Sequence, residues 1–210
     1  MDKNKSELFI KGTSQNNTKL IISFAGNAVV YGGIPQLEFV NSLNKIYPNC
    51  DKLFYLDKTS RFYINGIQTI SKSIEETTQY ISRKIKDYKK VCFIGTSAGG
   101  YASILYGSLL NIDYVLAFIP QTNLEIRKNI FDKDNIKYIN LKNYINNKTK
   151  YKLIGNKNIT NNNDTHCIQQ CDNIKDFENV NIIYKEGVNM KKIRDSGELK
   201  KLIFEFVNLE

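Results

Sequence analysis

The chain has 210 residues, 41% of them apolar and 24% charged, with 30 basic against 21 acidic side chains and a net charge of +9. That length suits one domain over residues 1–210 and that apolar share builds a core, which excludes a disordered chain and a string of separate modules. A single histidine, His166, excludes any mechanism that needs two imidazoles.

Residues 1–7 have no apolar h-region behind them, and no stretch approaches the 18 or so apolar residues of a membrane span. Neither a cleaved export signal nor a membrane span is expected. The four cysteines, Cys50, Cys92, Cys167 and Cys171, follow no disulfide-scaffold spacing, so a reducing, cytoplasmic setting is expected. The lysines are scattered among asparagines and only four arginines occur, Arg61, Arg83, Arg127 and Arg194. This reads as a solvated basic surface rather than a nucleic-acid footprint.

Short apolar runs predict strands over 8–11, 20–24, 52–56, 90–94, 114–118, 151–154 and 181–184, the last six in one sheet. Helical periodicity falls between them, over 36–46, 73–88, 98–110, 168–177 and 193–208. Ser71 and Ser73 are placed to cap the second helix, with Glu75 and Glu76 in its first turn. The alternation of strand and helix predicts a three-layer α/β sandwich around a mainly parallel sheet. Two segments interrupt it. Residues 121–150, after Pro120, are mixed and Tyr-rich and predict a small helical insertion or cap, about 120–150. Residues 156–164 form a polar loop at a strand end, where α/β proteins build sites.

The chemistry-bearing motif is Gly95-Thr96-Ser97-Ala98-Gly99, which fits G-x-S-x-G. It demands a sharp strand-to-helix turn with the serine hydroxyl exposed above the sheet, and glycines at both flanks remove side chains that would collide there. It follows the apolar run 91–94 and precedes the helical run 102–106, which is the required context. A phosphate-binding turn is the competing reading, but the glycine and lysine signatures of such loops are missing. An elbow serine needs an oxyanion hole. Its donors are expected to be the N–H of Ala98 and one from the loop after an early strand, at Gly26 or Asn27.

These residues resemble the α/β-hydrolase fold. More narrowly, the runs 22–27, 55–57, 62–67, 94–102, 117–122 and 195–199 resemble bacterial esterase- or acyltransferase-like proteins associated with surface glycans or glycoprotein export. The Ala117-Phe118-Ile119-Pro120-Gln121-Thr122 run points to the narrower group. The resemblance implies serine-based ester hydrolysis or acyl transfer on an acylated small molecule or glycan. It implies no metal or organic cofactor, and partner proteins of a surface-glycan system.

The chain departs from the hydrolase order of serine, acid, histidine. Asp164 fits the acid position, but the resembling proteins would carry histidine near Val188 or Asn189, and none stands there. Three readings follow. His166 is the base, folded back over Ser97 and oriented by Asp164 or Asp57; or it only caps and packs a helix, in a hydrolase-fold binding or scaffolding protein without turnover; or Ser97 works with another group such as a lysine. His166, Cys167 and Cys171 make an incomplete metal half-site, better read as residues on one helix face. Tyr138, Tyr144, Tyr151 and Phe131 either line a cleft or hold the insertion in place. Arg61, beside Phe62-Tyr63, is a candidate contact for a substrate carboxylate or phosphate.

Overall fold

A computed structural model describes residues 6–27, 30–31 and 34–207. In chain order the elements are β1 (Glu7–Ile10), β2 (Lys19–Phe24), β3 (Val30–Tyr31), β4 (Ile34–Pro35), α1 (Val40–Ile46), β5 (Asp51–Tyr55), α2 (Ile74–Ile85) and β6 (Lys90–Thr96). They continue with α3 (Ala98–Leu110), β7 (Tyr114–Phe118), three short 3-10 helices (Glu125–Ile130, Ile136–Tyr138, Leu141–Tyr144), β8 (Lys150–Asn156), α4 (Ile168–Asp172), β9 (Val180–Lys185), α5 (Met190–Asp195) and α6 (Glu198–Val207).

Seven strands form one sheet in the order β1-β5-β2-β6-β7-β8-β9. Every pair is parallel except β1, which runs antiparallel to β5 at the edge. The expected sheet of six strands therefore takes the first strand as well. Helices cover both faces, and for that reason β2, β5 and β6 are buried almost without a break rather than at alternate residues. Period-2 alternation along each strand divides the core. Leu20, Ile22, Phe24 and Phe93 meet α2, α3 and α4 on one face, while Ile21, Phe54, Ile94 and Phe118 meet α1, α5 and α6 on the other. Even Lys52 is buried, its ammonium donating to the carbonyls of Tyr47 and Cys50 at 2.7 Å each.

The expected helices hold with adjusted ends. Ser73 caps α2, accepting the Glu76 N–H at 3.1 Å. Ser71 instead bonds the Thr77 hydroxyl and accepts the Ile67 N–H. The segment 36–46 starts helical only at Val40, 168–177 is helical only to Asp172, and 193–208 is two helices parted at Gly197, with Asn208 outside the described residues. Residues 121–150, read from the sequence as a helical insertion, carry the three 3-10 helices between β7 and β8. Tyrosines seat it: Tyr101 Oη donates to the Tyr138 carbonyl at 2.8 Å, Tyr138 Oη donates to Glu75 at 2.9 Å, and Tyr151 Oη pairs with the Ser108 hydroxyl. Tyr138 and Tyr151 thus hold this segment and its flank to the helices, while the Tyr144 hydroxyl bonds the Lys137 carbonyl within it.

The strand order sets the site. After β2 the chain steps to β5 on one side and then to β6 on the other, so a crevice opens at the carboxyl ends of β2 and β6. Gly26 follows β2 and Ser97 follows β6.

Candidate active site

Ser97 occupies the turn between β6 and α3 with φ 54° and ψ −116°, a conformation sparsely populated for L-residues. Its N–H is held by the Phe118 carbonyl at 2.9 Å. The glycine spacing is steric: a Cβ at Gly99 would lie 2.0 Å from the Phe24 carbonyl oxygen, so only glycine lets α3 start this close to β2. The strained turn points the serine hydroxyl into the crevice mouth, and two side chains meet it there.

His166 is the first. Its Nε2 lies 2.9 Å from Ser97 Oγ, across 69 residues of sequence. Burial lowers the pKa of the half-buried imidazole from its usual 6.5; the Asp164 charge raises it and the Arg127 charge lowers it. A neutral imidazole at pH 7 accepts the serine proton.

The loop carrying His166 is pinned at three points. Asp164 Oδ1 accepts the backbone N–H of His166 at 2.8 Å. Asp164 therefore holds the main chain of the histidine rather than its ring. Asn156, buried at the end of β8, donates to the His166 carbonyl at 3.3 Å and accepts the Val188 N–H at 2.7 Å. Gln170 on α4 accepts the N–H groups of Thr122 and Asn123 at 2.8 and 2.9 Å, fastening this segment to the insertion. The corner where a hydrolase would keep its histidine is filled: Val188 packs into the second core and Asn189 caps α5.

Asp57 does not reach His166. Its oxygens accept from Thr59 N–H and Oγ1, Arg61 N–H and Tyr63 N–H at 2.6–2.9 Å. That ring of bonds holds Ser60, Phe62 and Tyr63 at φ 54°, 59° and 61° in a strained loop beside the crevice. Among the described residues no carboxylate bonds the His166 ring.

Gln121 is the second partner of Ser97 and was not singled out by its chemistry in the sequence. It is buried, and its amide lies 3.2 Å (Nε2) and 3.4 Å (Oε1) from Ser97 Oγ. Its signal was positional only, as the residue after the Ile119-Pro120 bend that ends β7. With Nε2 donating, the serine hydrogen is left to point at His166.

The donors expected for an oxyanion divide. The Ala98 N–H lies in the first turn of α3, where no carbonyl of the helix reaches it. The backbone N–H of Asn27 makes no hydrogen bond among the described residues. Gly26 lies against the elbow, since a Cβ there would be 3.7 Å from Ser97 Cβ, but its N–H already donates to Glu38 Oε2 at 3.1 Å. Gly26 is therefore a spacer rather than a free donor. Burial raises the Glu38 pKa to about 7, against the opposing pull of the Thr96 hydroxyl and the Gly26 N–H.

No group of three or more His, Cys, Asp or Glu side chains converges on a metal-sized space among the described residues. Cys167 precedes α4 and Cys171 lies within it, both free and buried.

The sheet, the elbow and the crevice define an α/β-hydrolase fold. No family model matches the sequence, and no curated protein is similar to it in sequence. Solved structures are similar. A capsule O-acetyltransferase of Neisseria meningitidis serogroup A, in complex with CoA, superposes with a TM-score of 0.68 at 19% identity, over 94% of this chain and 90% of that one. A lipase-esterase related protein from Clostridium acetobutylicum gives 0.61 at 13% identity over 97% and 100%. A glycosylation-associated protein complex from Streptococcus agalactiae gives 0.62 at 12% identity, over 90% of this chain and 43% of that one.

Proposed function

We propose that this chain is a serine-dependent O-acyltransferase or esterase that works through an acyl group on Ser97, with an acylated glycan or small molecule as substrate. The observation that carries this is the 2.9 Å contact between Ser97 Oγ and His166 Nε2. A hydrolase-fold protein that only binds has no need of its one imidazole at hydrogen-bond distance from an elbow serine. The names of the similar proteins, an O-acetyltransferase of a capsule and a glycosylation-associated complex, support the glycan reading.

The steps follow from the geometry. His166 Nε2 takes the Ser97 proton as Oγ attacks the acyl carbonyl carbon. The carbonyl oxygen becomes an oxyanion and receives the N–H groups of Ala98 and Asn27. Collapse breaks the bond to the leaving oxygen or sulfur, which takes the proton from His166. Water, or a sugar hydroxyl, then gives its proton to His166 and attacks the acyl-serine; the acid or new ester leaves as Ser97 Oγ takes that proton back from His166. The acid of the usual triad acts differently in this reading. Asp164 fixes the main chain of the histidine, and its charge favours the imidazolium that forms.

Four buried free thiols suit a reducing compartment, and among the described residues no helix is long and apolar enough to cross a membrane. We place the enzyme in the cytoplasm, alongside other proteins of a surface-glycan system. A fluorophosphonate probe tests the core of the proposal. It is expected to label Ser97 at neutral pH, with the adduct located by mass spectrometry, and to lose labelling in Ser97→Ala. A folded wild-type protein that takes no label overturns the reading.

A further inference from the structure

Beside the crevice a cation stands without a counter-ion among the described residues. Arg127 lies in the first 3-10 helix of the insertion, six residues after Gln121, and breaks the helical geometry there with φ −122° and ψ 20°. Its guanidinium covers the Phe62 ring at 5.7 Å from the centroid. Phe62 is buried, edge-on against Tyr101 of α3 at 5.8 Å, and belongs to the strained loop that Asp57 organises. Glu125 and Lys128, the other charges in the same helix, pair with each other, and among the described residues no carboxylate lies within ion-pair distance of Arg127. Its charge nevertheless acts on His166.

We propose that Arg127, braced on Phe62, is an anion-binding subsite, and that the substrate carries a carboxylate or phosphate close to its acylated oxygen. This rests on the Ser97–His166 reading for the position of the acylated oxygen. Three physical points carry it. A guanidinium presents a planar fork that takes two oxygens of a carboxylate or phosphate, and the cation–π contact with Phe62 restricts where that fork sits before the ligand arrives. The brace is costly to build, because Phe62 and Tyr63 are both held at positive φ, and strain of this kind persists where the surroundings enforce it. An uncompensated cation next to a general base is also unfavourable to the imidazolium of the reaction. An anion bound at Arg127 removes that penalty as it positions the substrate. Arg61, the other arginine next to Phe62, has no such seat on the ring.

The lone histidine supplies a readout that does not need turnover. The imidazole resonances of wild type are titrated by NMR with phenyl phosphate, with benzoate, and with benzamide as the neutral control. An anion in millimolar amounts is expected to raise the His166 pKa, and benzamide is not. In Arg127→Gln the pKa starts higher and the anion response is lost or at least tenfold weaker in affinity. Arg127→Lys keeps part of it, and Lys128→Gln keeps all of it. A response to phenyl phosphate alone assigns a phosphate-bearing substrate, and a response to benzoate alone a sugar acid. An imidazole that ignores both anions, or a response that survives in Arg127→Gln, overturns the proposal. Failure of fluorophosphonate labelling beside an intact anion response would count against acyl chemistry and leave the subsite standing.

Discussion

The elbow and the histidine loop meet at Ser97 Oγ and are built in opposite ways. The elbow is local: strand, Ser97 and helix are contiguous, and its strain is enforced by glycines that let α3 touch β2. The loop of His166 has little regular structure of its own and is held by side chains from elsewhere, Asn156 on β8, Gln170 on α4 and Asp164 within the loop. Nucleophiles need strain that only a rigid frame supplies. A general base needs reach, and a loop pinned at a few points delivers it from any strand end that faces the crevice. That is how an imidazole in the acid's usual loop comes to stand over the serine while the usual corner holds Val188.

This contrast breaks first at the frame. Gly99→Ala would put a methyl carbon 2.0 Å from the Phe24 carbonyl oxygen, so the fold itself is expected to suffer, by about 3 kcal/mol or more in chemical unfolding. A variant with wild-type stability would show that α3 can slide away from β2. His166→Ala should leave stability nearly intact and slow fluorophosphonate labelling of Ser97 by about 10²–10⁴-fold, the usual worth of a general base. Labelling within a few fold of wild type would transfer the base role to another group.

Asn156→Ala cuts both ties between the histidine loop and the last strand. A loss of about 10–100-fold in labelling rate is expected from misplacement of the imidazole, with the loss in the rate term rather than in probe binding. Asn156→Asp keeps the acceptor for Val188 N–H and should recover part of it. An equal fall in melting temperature and no fall in rate would mark Asn156 as structural only.

The acid limb of the labelling profile gives a smaller effect. The base must be neutral and its pKa is lowered, so the rate should begin to fall only below pH 6.5. Glu38 bears on stability rather than on labelling rate. Its folded pKa is raised above the ordinary 4.5 to about 7, so the folded state disfavours its ionisation. Stability present at acid pH is lost as pH rises from 4.5 towards 7 and changes no further above that. Glu38→Gln should flatten that window in thermal melts followed across pH, and a window unchanged by the substitution would assign it to other groups.

Much of the fold was legible because its signals are local. Buried parallel strands show as apolar runs, α2 announces its cap at Ser73, and G-x-S-x-G states the steric need of its own turn. Boundaries slipped where tertiary packing decides, as at the end of α4, and the edge strand β1 joined the sheet through pairing that no local pattern reports. The site was half legible. Ser97, Ala98 and Asn27 follow from the motif and the loop after β2, whereas Gly26 had its N–H taken by Glu38, a partner twelve residues away.

The amino-acid sequence by itself determined the layer architecture, the elbow and the scarcity of imidazole, since each depends on residue type and short spacing. Only the tertiary structure decided that His166 reaches Ser97, that Gln121 lies against the same hydroxyl and that Arg127 rides on Phe62. Those contacts join segments 24 to 69 residues apart, and their distances depend on how loops close over the sheet, which hydrophobic periodicity does not encode.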